Sequence, residues 1–159
     1  MLIKFLVDED FVNYKKTSMF IGFPTCDWKC EKQCGKRGMC QNSSLATSPT
    51  FEISKEDIVK RYIDNPISKA VVFGGLEPFD SWEDLANLVA EFRRHTQDDV
   101  IIYTGYYESE ISDDVEYLRQ NYDNIIIKFG RFIPDKDSCF DEVLGVTLAS
   151  DNQYGEKIS

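Results

Sequence analysis

The sequence predicts an α/β fold, an open or partial parallel (β/α) barrel of about five strands in a single domain over residues 1–159. Short, continuous apolar runs such as Ala70–Phe73 are typical of strands that are buried on both faces. Segments with helical periodicity lie between these runs, and this alternation favours right-handed βαβ units with a parallel sheet. Five strands are too few for a closed eight-stranded barrel, and 159 residues are the length of one ordinary domain.

Turn residues mark the ends of the first two predicted strands. The first strand is apolar and ends at Pro24, and Gly74-Gly75 follows the second. The remaining strands are short runs rich in β-branched and other apolar residues. The predicted strands are 17–23, 70–73, 100–103, 125–127 and 144–148.

Three helices are predicted between the strands. Ser54 is a candidate N-cap with Asp57 at the capping-box spacing, and Ser81 and Asp84 make the same pattern before the second helix. The third helix is predicted over 115–121, and a surface loop over 41–51. The apolar stripes are Ile58, Tyr62 and Ile63 in the first helix and Trp82, Leu85, Leu88, Val89 and Phe92 in the second.

The composition excludes several classes of protein. A hydrophobic fraction of 42% indicates a globular chain, and a formal charge of −10 repels the phosphate backbone of nucleic acids. No apolar run reaches the ~20 residues that cross a bilayer, and acidic residues follow the apolar start of the chain where a secretory signal has a small-residue cleavage site. We therefore expect a cytoplasmic protein with neither nucleic acid nor membrane as a partner.

Four of the five cysteines lie within fifteen residues, in a segment that we call the cysteine loop (residues 24–42). Thiolates are soft ligands that suit iron–sulfur clusters or zinc. Structural zinc usually takes two separated pairs of ligands, whereas this loop is compact and the single histidine, His95, lies in a predicted helix. The spacing favours an iron–sulfur site, with zinc as the alternative.

The distinctive segments of the sequence all follow predicted strands. In parallel α/β folds, ligands bind at the carboxyl ends of the strands, so we expect these segments to share one edge of the sheet. They are the cysteine loop, Gly74–Pro78, Thr104–Tyr106 and Gly130–Phe132.

This ordered set of motifs resembles the radical S-adenosylmethionine (SAM) superfamily. Cys26 and Cys30 make a C-x3-C opening, and Cys40-Gln41-Asn42 closes the loop. The chain is most similar to the small activating proteins of anaerobic ribonucleotide reductase, which are glycyl-radical enzyme activases. The other motifs that carry the resemblance are Gly74-Gly75-Leu76-Glu77-Pro78, Tyr103-Thr104-Gly105-Tyr106, Gly130-Arg131-Phe132 and Ser150-Asp151-Asn152-Gln153.

The cysteine spacing departs from the C-x3-C-x2-C pattern of that superfamily. The resemblance assigns Cys26, Cys30 and Cys40 as metal ligands, which makes Glu31–Met39 an insertion and Cys34 an extra cysteine. Two alternatives stay open at this point. Cys34 could replace Cys40, or all four cysteines could bind the metal and leave no iron open for a cofactor.

The resemblance also implies a SAM-binding site. Gly75 and Glu77 would hold the methionine amino group, although Leu76 stands where the superfamily has a second glycine. Thr104 would contact the adenosine, and Lys128 and Arg131 the methionine carboxylate. The implied cofactor-binding residues are Gly75, Glu77, Thr104, Lys128 and, from the carboxyl-terminal motif, Asn152.

The implied function is that of an anaerobic radical SAM oxidoreductase. Three thiolates would hold a [4Fe–4S] cluster whose fourth iron binds SAM, and reductive cleavage would give a 5′-deoxyadenosyl radical that installs a glycyl radical on a large partner subunit. Two alternatives are a radical SAM enzyme that acts on another peptide or small molecule, and a non-catalytic iron–sulfur or zinc module. A flavodoxin-type electron donor could dock on the cations of the cysteine loop, which are Lys29, Lys32, Lys36 and Arg37.

Overall fold

The computed structural model describes residues 1–159, which form ten strands and four α-helices. The strands are β1 (Leu2–Ile3), β2 (Phe5–Asp10), β3 (Ser18–Phe23), β4 (Phe51–Glu52), β5 (Ala70–Gly75), β6 (Asp99–Tyr103), β7 (Ile125–Phe129), β8 (Cys139–Asp141), β9 (Val146–Leu148) and β10 (Tyr154–Lys157). The helices are α1 (Lys29–Cys34), α2 (Lys55–Ile63), α3 (Trp82–His95) and α4 (Ser112–Asn121). Short 3-10 turns cover Ser43–Thr47, Pro78–Ser81 and Glu108–Glu110.

Six strands form one mixed sheet in the order β10-β7-β6-β5-β3-β2. The four inner strands pair in parallel, whereas β2 and β10 pair antiparallel with β3 and β7 at the two edges. The strand predicted over 144–148 is β9, and it pairs with β8 in a separate two-stranded sheet because a short turn at Gly145 joins the two. The partial barrel stays a prediction.

Side chains bury both faces of the inner strands, as their continuous apolar runs predict. Along β5, Val71 and Phe73 join a core cluster with α2, α3 and α4 on one face of the sheet. Ala70 and Val72 point to the other face, into a smaller cluster that includes Leu144 and Leu148. The helices α2, α3 and α4 therefore cover one face, and the chain around β8 and β9 packs on the other.

The helix-capping predictions divide into one that is confirmed and one that is wrong. The Ser54 side chain accepts a hydrogen bond from the Asp57 backbone N–H, at 3.0 Å, and caps α2. Ser81 precedes α3 without a capping bond, because its hydroxyl pairs at 2.9 Å with that of Thr25 in the cysteine loop. Ile63, which the apolar stripe of α2 predicts to be buried, is instead 49% exposed, because it lies about 100° around the helix from Tyr62.

The parallel register brings the ends of β3, β5, β6 and β7 to one edge of the sheet. The cysteine loop and the segments that begin at Leu76, Thr104 and Gly130 leave the sheet at this edge. None of the four helices combines the length and the apolar composition that crossing a membrane requires.

Candidate functional site

A cavity of about 560 Å³ opens at this edge of the sheet. Its volume falls within the range that is usual for small-molecule sites, roughly 300–1,000 Å³. All four parallel strands contribute to its wall, either directly or through the segment that follows. Among the lining residues are Cys26, Cys30, Cys40, Gly75, Glu77, Thr104 and Lys128.

Three of the four loop cysteines meet at this cavity. Cys26, Cys30 and Cys40 line it and are all half-buried, although Cys40 is ten residues from Cys30 in sequence. Cys34 lies one turn beyond Cys30 on α1, is exposed, and does not line the cavity. The structure therefore separates Cys34 from the other three thiols.

The short segment between Cys26 and Cys30, which we call the Cys26–Cys30 turn, leads into α1 through an unusual backbone conformation. Trp28 adopts a left-handed backbone conformation with φ of 60°, which is uncommon for a residue with a side chain. Its N–H donates a hydrogen bond to the Cys26 sulfur at 3.3 Å, and the Lys29 N–H donates to the Asp27 carboxylate at 3.0 Å. Hydrogen bonds to a ligand sulfur stabilise the thiolate and tune the reduction potential of a bound cluster.

The three thiols are poor acids in the protein alone. Burial raises the pKa of Cys26 to about 12, and it also raises the pKa values of Cys30 and Cys40. The nearby charges of Arg131 and Lys128 act in the opposite direction on Cys30. Because a metal ion displaces protons from coordinating thiols, these groups suit metal binding better than they suit nucleophilic chemistry.

Glu77 places a buried carboxylate in the cavity wall. One oxygen accepts hydrogen bonds from the Thr104 hydroxyl at 2.8 Å and the Phe79 N–H at 3.2 Å, and the other accepts from the Gly105 N–H at 2.8 Å. Burial raises the pKa of Glu77 to about 7, even though all three bonds act to lower it. Since a carboxylate has about four acceptor positions, one position remains for a ligand.

Lys128 places a buried cation in the same wall. Its ammonium donates to the Gly130 carbonyl at 2.8 Å and to the Thr104 carbonyl at 3.4 Å. Burial lowers the pKa of Lys128 to about 8, against the opposing effects of Glu77, Cys30 and Cys40. Arg131, the other predicted cation, lies outside the lining and is engaged by Glu110 at 2.5 Å.

The carboxyl-terminal motif approaches the site through a different residue from the one predicted. Asn152 does not line the cavity, and its amide donates to the Arg131 carbonyl at 2.8 Å. Gln153 does line it and donates to the Gly130 carbonyl at 3.2 Å. Gln153 belongs to the same motif, but nothing in the local sequence indicates which of two adjacent amides faces a cavity.

Two glycines at this edge of the sheet cannot be replaced by a residue with a side chain. Gly75 has φ of 81°, and a Cβ there would lie 2.9 Å from the Gly22 Cα on the neighbouring strand. Gly130 has φ of 97°, and its Cβ would lie 2.8 Å from the Asn152 carbonyl oxygen. Close backbone approach and positive φ together require glycine at both positions.

The raised pKa of Glu77 makes a prediction about stability. The folded protein binds a proton at this carboxyl more tightly than the unfolded chain does, because the folded pKa is about 7 against an ordinary value of 4.5. From this group alone, the free energy of unfolding of the metal-free protein should fall by on the order of 3 kcal/mol as pH rises from about 4.5 to about 7. We expect Glu77→Gln to remove this part of the pH dependence.

Urea denaturation of the reduced, metal-free protein at about pH 5 and about pH 7 measures this dependence. Glu83→Gln, at an exposed position on α3, is the control, and its free energy of unfolding should change with pH as that of the wild type does. The same change with pH in Glu77→Gln as in the wild type would contradict the prediction.

Comparison with known proteins identifies the family. A family model described as a 4Fe-4S single cluster domain matches residues 4–147, a span that contains the whole cysteine loop and the four parallel strands β3, β5, β6 and β7. No curated protein and no solved structure matches significantly. The family match favours iron–sulfur over the zinc alternative, and the three thiols that share one cavity agree with it. The chain therefore belongs to the 4Fe-4S single cluster domain family.

Proposed function

We propose that this protein is a radical SAM oxidoreductase that activates a glycyl-radical partner. One observation carries the proposal. The three thiols of Cys26, Cys30 and Cys40 share a single cavity with the buried carboxylate of Glu77 and the buried ammonium of Lys128. The cavity thus combines ligands for a cluster with groups of both charges that suit a zwitterionic amino acid.

The thiols present fit a [4Fe–4S] cluster with an open iron. Such a cluster is usually held by four thiolates, and here Cys26, Cys30 and Cys40 line the cavity while Cys34 lies outside it. The backbone N–H of Trp28 supports the Cys26 sulfur. Three protein ligands would leave one iron to bind a small molecule within the same cavity.

The remaining lining groups fit SAM. Glu77 retains an acceptor position for an ammonium group, and Lys128 offers a cation to a carboxylate. Thr104 holds Glu77 in place through its hydroxyl, so it acts on the carboxylate as well as facing the cavity. Gly75 lets the chain leave β5 against β3 without a clash, which brings Glu77 to the cavity wall.

The protein's own part is binding, orientation and exclusion of water. When bound, the cluster and SAM supply one-electron reduction and hydrogen-atom abstraction. Glu77 and Lys128, both less than a tenth exposed, would orient the amino and carboxylate groups of SAM in a medium where charge interactions are strong. Leu76 and Tyr103 add apolar surface to the lining.

The cavity has an open mouth that suits a macromolecular substrate. Val12 lines the cavity yet is 73% exposed, and Gln41 and Asn42 line it from exposed positions on the cysteine loop. A small-molecule substrate is usually enclosed over most of its surface. These features support a glycine-containing segment of a large partner subunit as the substrate.

The insertion in the cysteine loop offers a docking surface for an electron donor. Lys32, Lys36 and Arg37 are exposed and make no ion pair, whereas Lys29 is engaged over the Tyr106 ring at 3.9 Å. These three cations belong to a protein of net charge −10. They lie between two of the proposed ligands, so an acidic donor such as a flavodoxin would bind close to the cluster.

Cysteine replacements test the ligand assignment. We expect Cys34→Ser to keep a full cluster after anaerobic reconstitution, because its thiol is exposed outside the cavity. Cys26→Ser, Cys30→Ser and Cys40→Ser should each lose most of the iron and sulfide. Iron and sulfide analysis with visible absorption spectra makes the measurement, and full retention in Cys40→Ser with loss in Cys34→Ser would reverse the assignment.

Reductive SAM cleavage tests the proposed chemistry. The reconstituted, dithionite-reduced protein should form 5′-deoxyadenosine from SAM. Glu77→Gln and Lys128→Met should keep the cluster but weaken SAM binding by roughly 10- to 100-fold, the usual effect of losing one charge-assisted hydrogen bond. Glu91→Gln, a buried carboxylate on α3 outside the cavity, is the matched control.

A protein that holds its cluster and forms no 5′-deoxyadenosine would support the non-catalytic iron–sulfur module instead. If cleavage occurs, an electron paramagnetic resonance (EPR) signal of a glycyl radical in an added ribonucleotide reductase-type subunit identifies the substrate class. Cleavage without that signal would favour a radical SAM enzyme that acts on another peptide or small molecule.

Charge reversal tests the docking surface. The double variant Lys36→Glu with Arg37→Glu should slow reduction of the cluster by flavodoxin at low salt, and the difference should shrink near 0.1 M salt, where the screening length is about 10 Å. The control, Lys69→Glu with Lys157→Glu, changes the net charge equally at exposed positions away from the cysteine loop. Stopped-flow absorbance gives the rates, and equal slowing in both double variants would refute the docking surface.

A further inference from the structure

The turn between Cys26 and Cys30 is fastened to the sheet edge by one carboxylate. Asp80 accepts a hydrogen bond from the Asp27 backbone N–H at 2.6 Å through one oxygen. It accepts a second from the Tyr106 hydroxyl, also at 2.6 Å, through the other. Asp80 follows β5 and Tyr106 follows β6, so this carboxylate joins the cysteine loop to segments that leave two neighbouring strands.

Tyr106 is itself held firmly and touches the same turn a second time. Tyr106 is only 9% exposed, its backbone N–H donates to the Thr104 hydroxyl oxygen at 3.0 Å, and its backbone carbonyl accepts from the Gly130 N–H at 3.0 Å. The Lys29 ammonium lies 3.9 Å from the centre of its ring, a distance at which cation–π attraction is favourable. The contacts through Asp27 and Lys29 therefore flank Trp28.

The backbone conformation of Trp28 explains why contacts with the rest of the protein are needed to hold this turn in place. A left-handed conformation at a residue with a side chain costs on the order of 1–3 kcal/mol and persists only where its surroundings enforce it. Trp28 also donates the hydrogen bond to the Cys26 sulfur. Release of the turn would therefore let this hydrogen bond and the position of the sulfur change together.

The carboxylate also lies close to the sulfur that it helps to position. The Cys26 sulfur and one carboxylate oxygen each of Asp27 and Asp80 all lie within 4.8 Å of one another. A negative charge at that distance disfavours adding an electron to a cluster on Cys26, and this lowers its reduction potential. Removing the charge should raise that potential.

We propose that Asp80 and Tyr106 are positioning residues that hold the Cys26–Cys30 turn for cluster binding, and that the Asp80 charge sets part of the cluster's reduction potential. The proposal needs a cluster on Cys26 and Cys30 but does not depend on SAM cleavage or on any partner. Neither side chain is a ligand in this arrangement: Asp80 acts through the turn and through its charge, and Tyr106 acts through its hydrogen bond to Asp80.

Three variants and one control test this pair. Tyr106→Phe removes the hydroxyl and keeps the ring under Lys29, Asp80→Asn removes the charge and one of the two acceptors, and the third variant combines them. The control is Tyr62→Phe, which removes a similar tyrosine–carboxylate bond, 2.7 Å to Asp98, from α2. The measurements are the rate of cluster loss to an iron chelator without SAM and the reduction potential from a titration followed by EPR.

Tyr106→Phe and Asp80→Asn should each lose the cluster about tenfold faster than the wild type, the change expected from one charge-assisted hydrogen bond. The double variant should be no faster than Asp80→Asn, because the hydroxyl acts through the carboxylate. Asp80→Asn should shift the reduction potential to a more positive value, whereas Tyr106→Phe, which keeps the charge, should not.

Rates of cluster loss that match the wild type, or equal acceleration in Tyr62→Phe, would overturn the positioning role. An unchanged reduction potential in Asp80→Asn would overturn the electrostatic role. Failure of SAM cleavage with these effects intact would reject the proposed enzyme and leave the positioning pair standing, so the two proposals fail separately.

Discussion

Parallel pairing of β3 with β5, β5 with β6 and β6 with β7 places four strand ends at one edge of the sheet, and the site depends on this register. The pairing is stable because side chains bury both faces of these strands. Cysteines, a carboxylate and an ammonium from distant parts of the chain then line one cavity. A shift of one residue in any of these strands would turn its side chains to the opposite face and alter the wall.

Glu77 shows how the protein accommodates charge at this edge. Burying a carboxylate is unfavourable unless hydrogen bonds compensate, and Thr104, Gly105 and Phe79 supply three. Those donors come from the segments after β5 and β6, so the carboxylate also fixes these segments to one another. Asp80 does the same for the cysteine loop, and together the two carboxylates join three of the four strand ends.

Local patterns predicted the elements that are buried and regular, and they failed where the outcome depended on distant contacts. The inner strands and the cap at Ser54 follow from apolar runs and a capping pattern. The edge strands β2 and β10 were not predicted, because the sequences FLVDED and YGEK contain charged residues and lack a continuous buried run. Ser81 has the same capping pattern as Ser54, but its side chain forms a hydrogen bond with the hydroxyl of Thr25, which is distant in sequence.

The sequence by itself determined the kind of chemistry. Four closely spaced cysteines after an apolar strand indicate a metal or cluster site, and glycine turns after buried strands indicate which edge of the sheet carries it. Only the tertiary structure decided that Cys40 faces the cavity and Cys34 does not, that Gln153 lines it in place of Asn152, and that Asp80 reaches the cysteine loop. These outcomes depend on how a loop folds against strands far away in sequence, and spacing along the chain carries no record of those contacts.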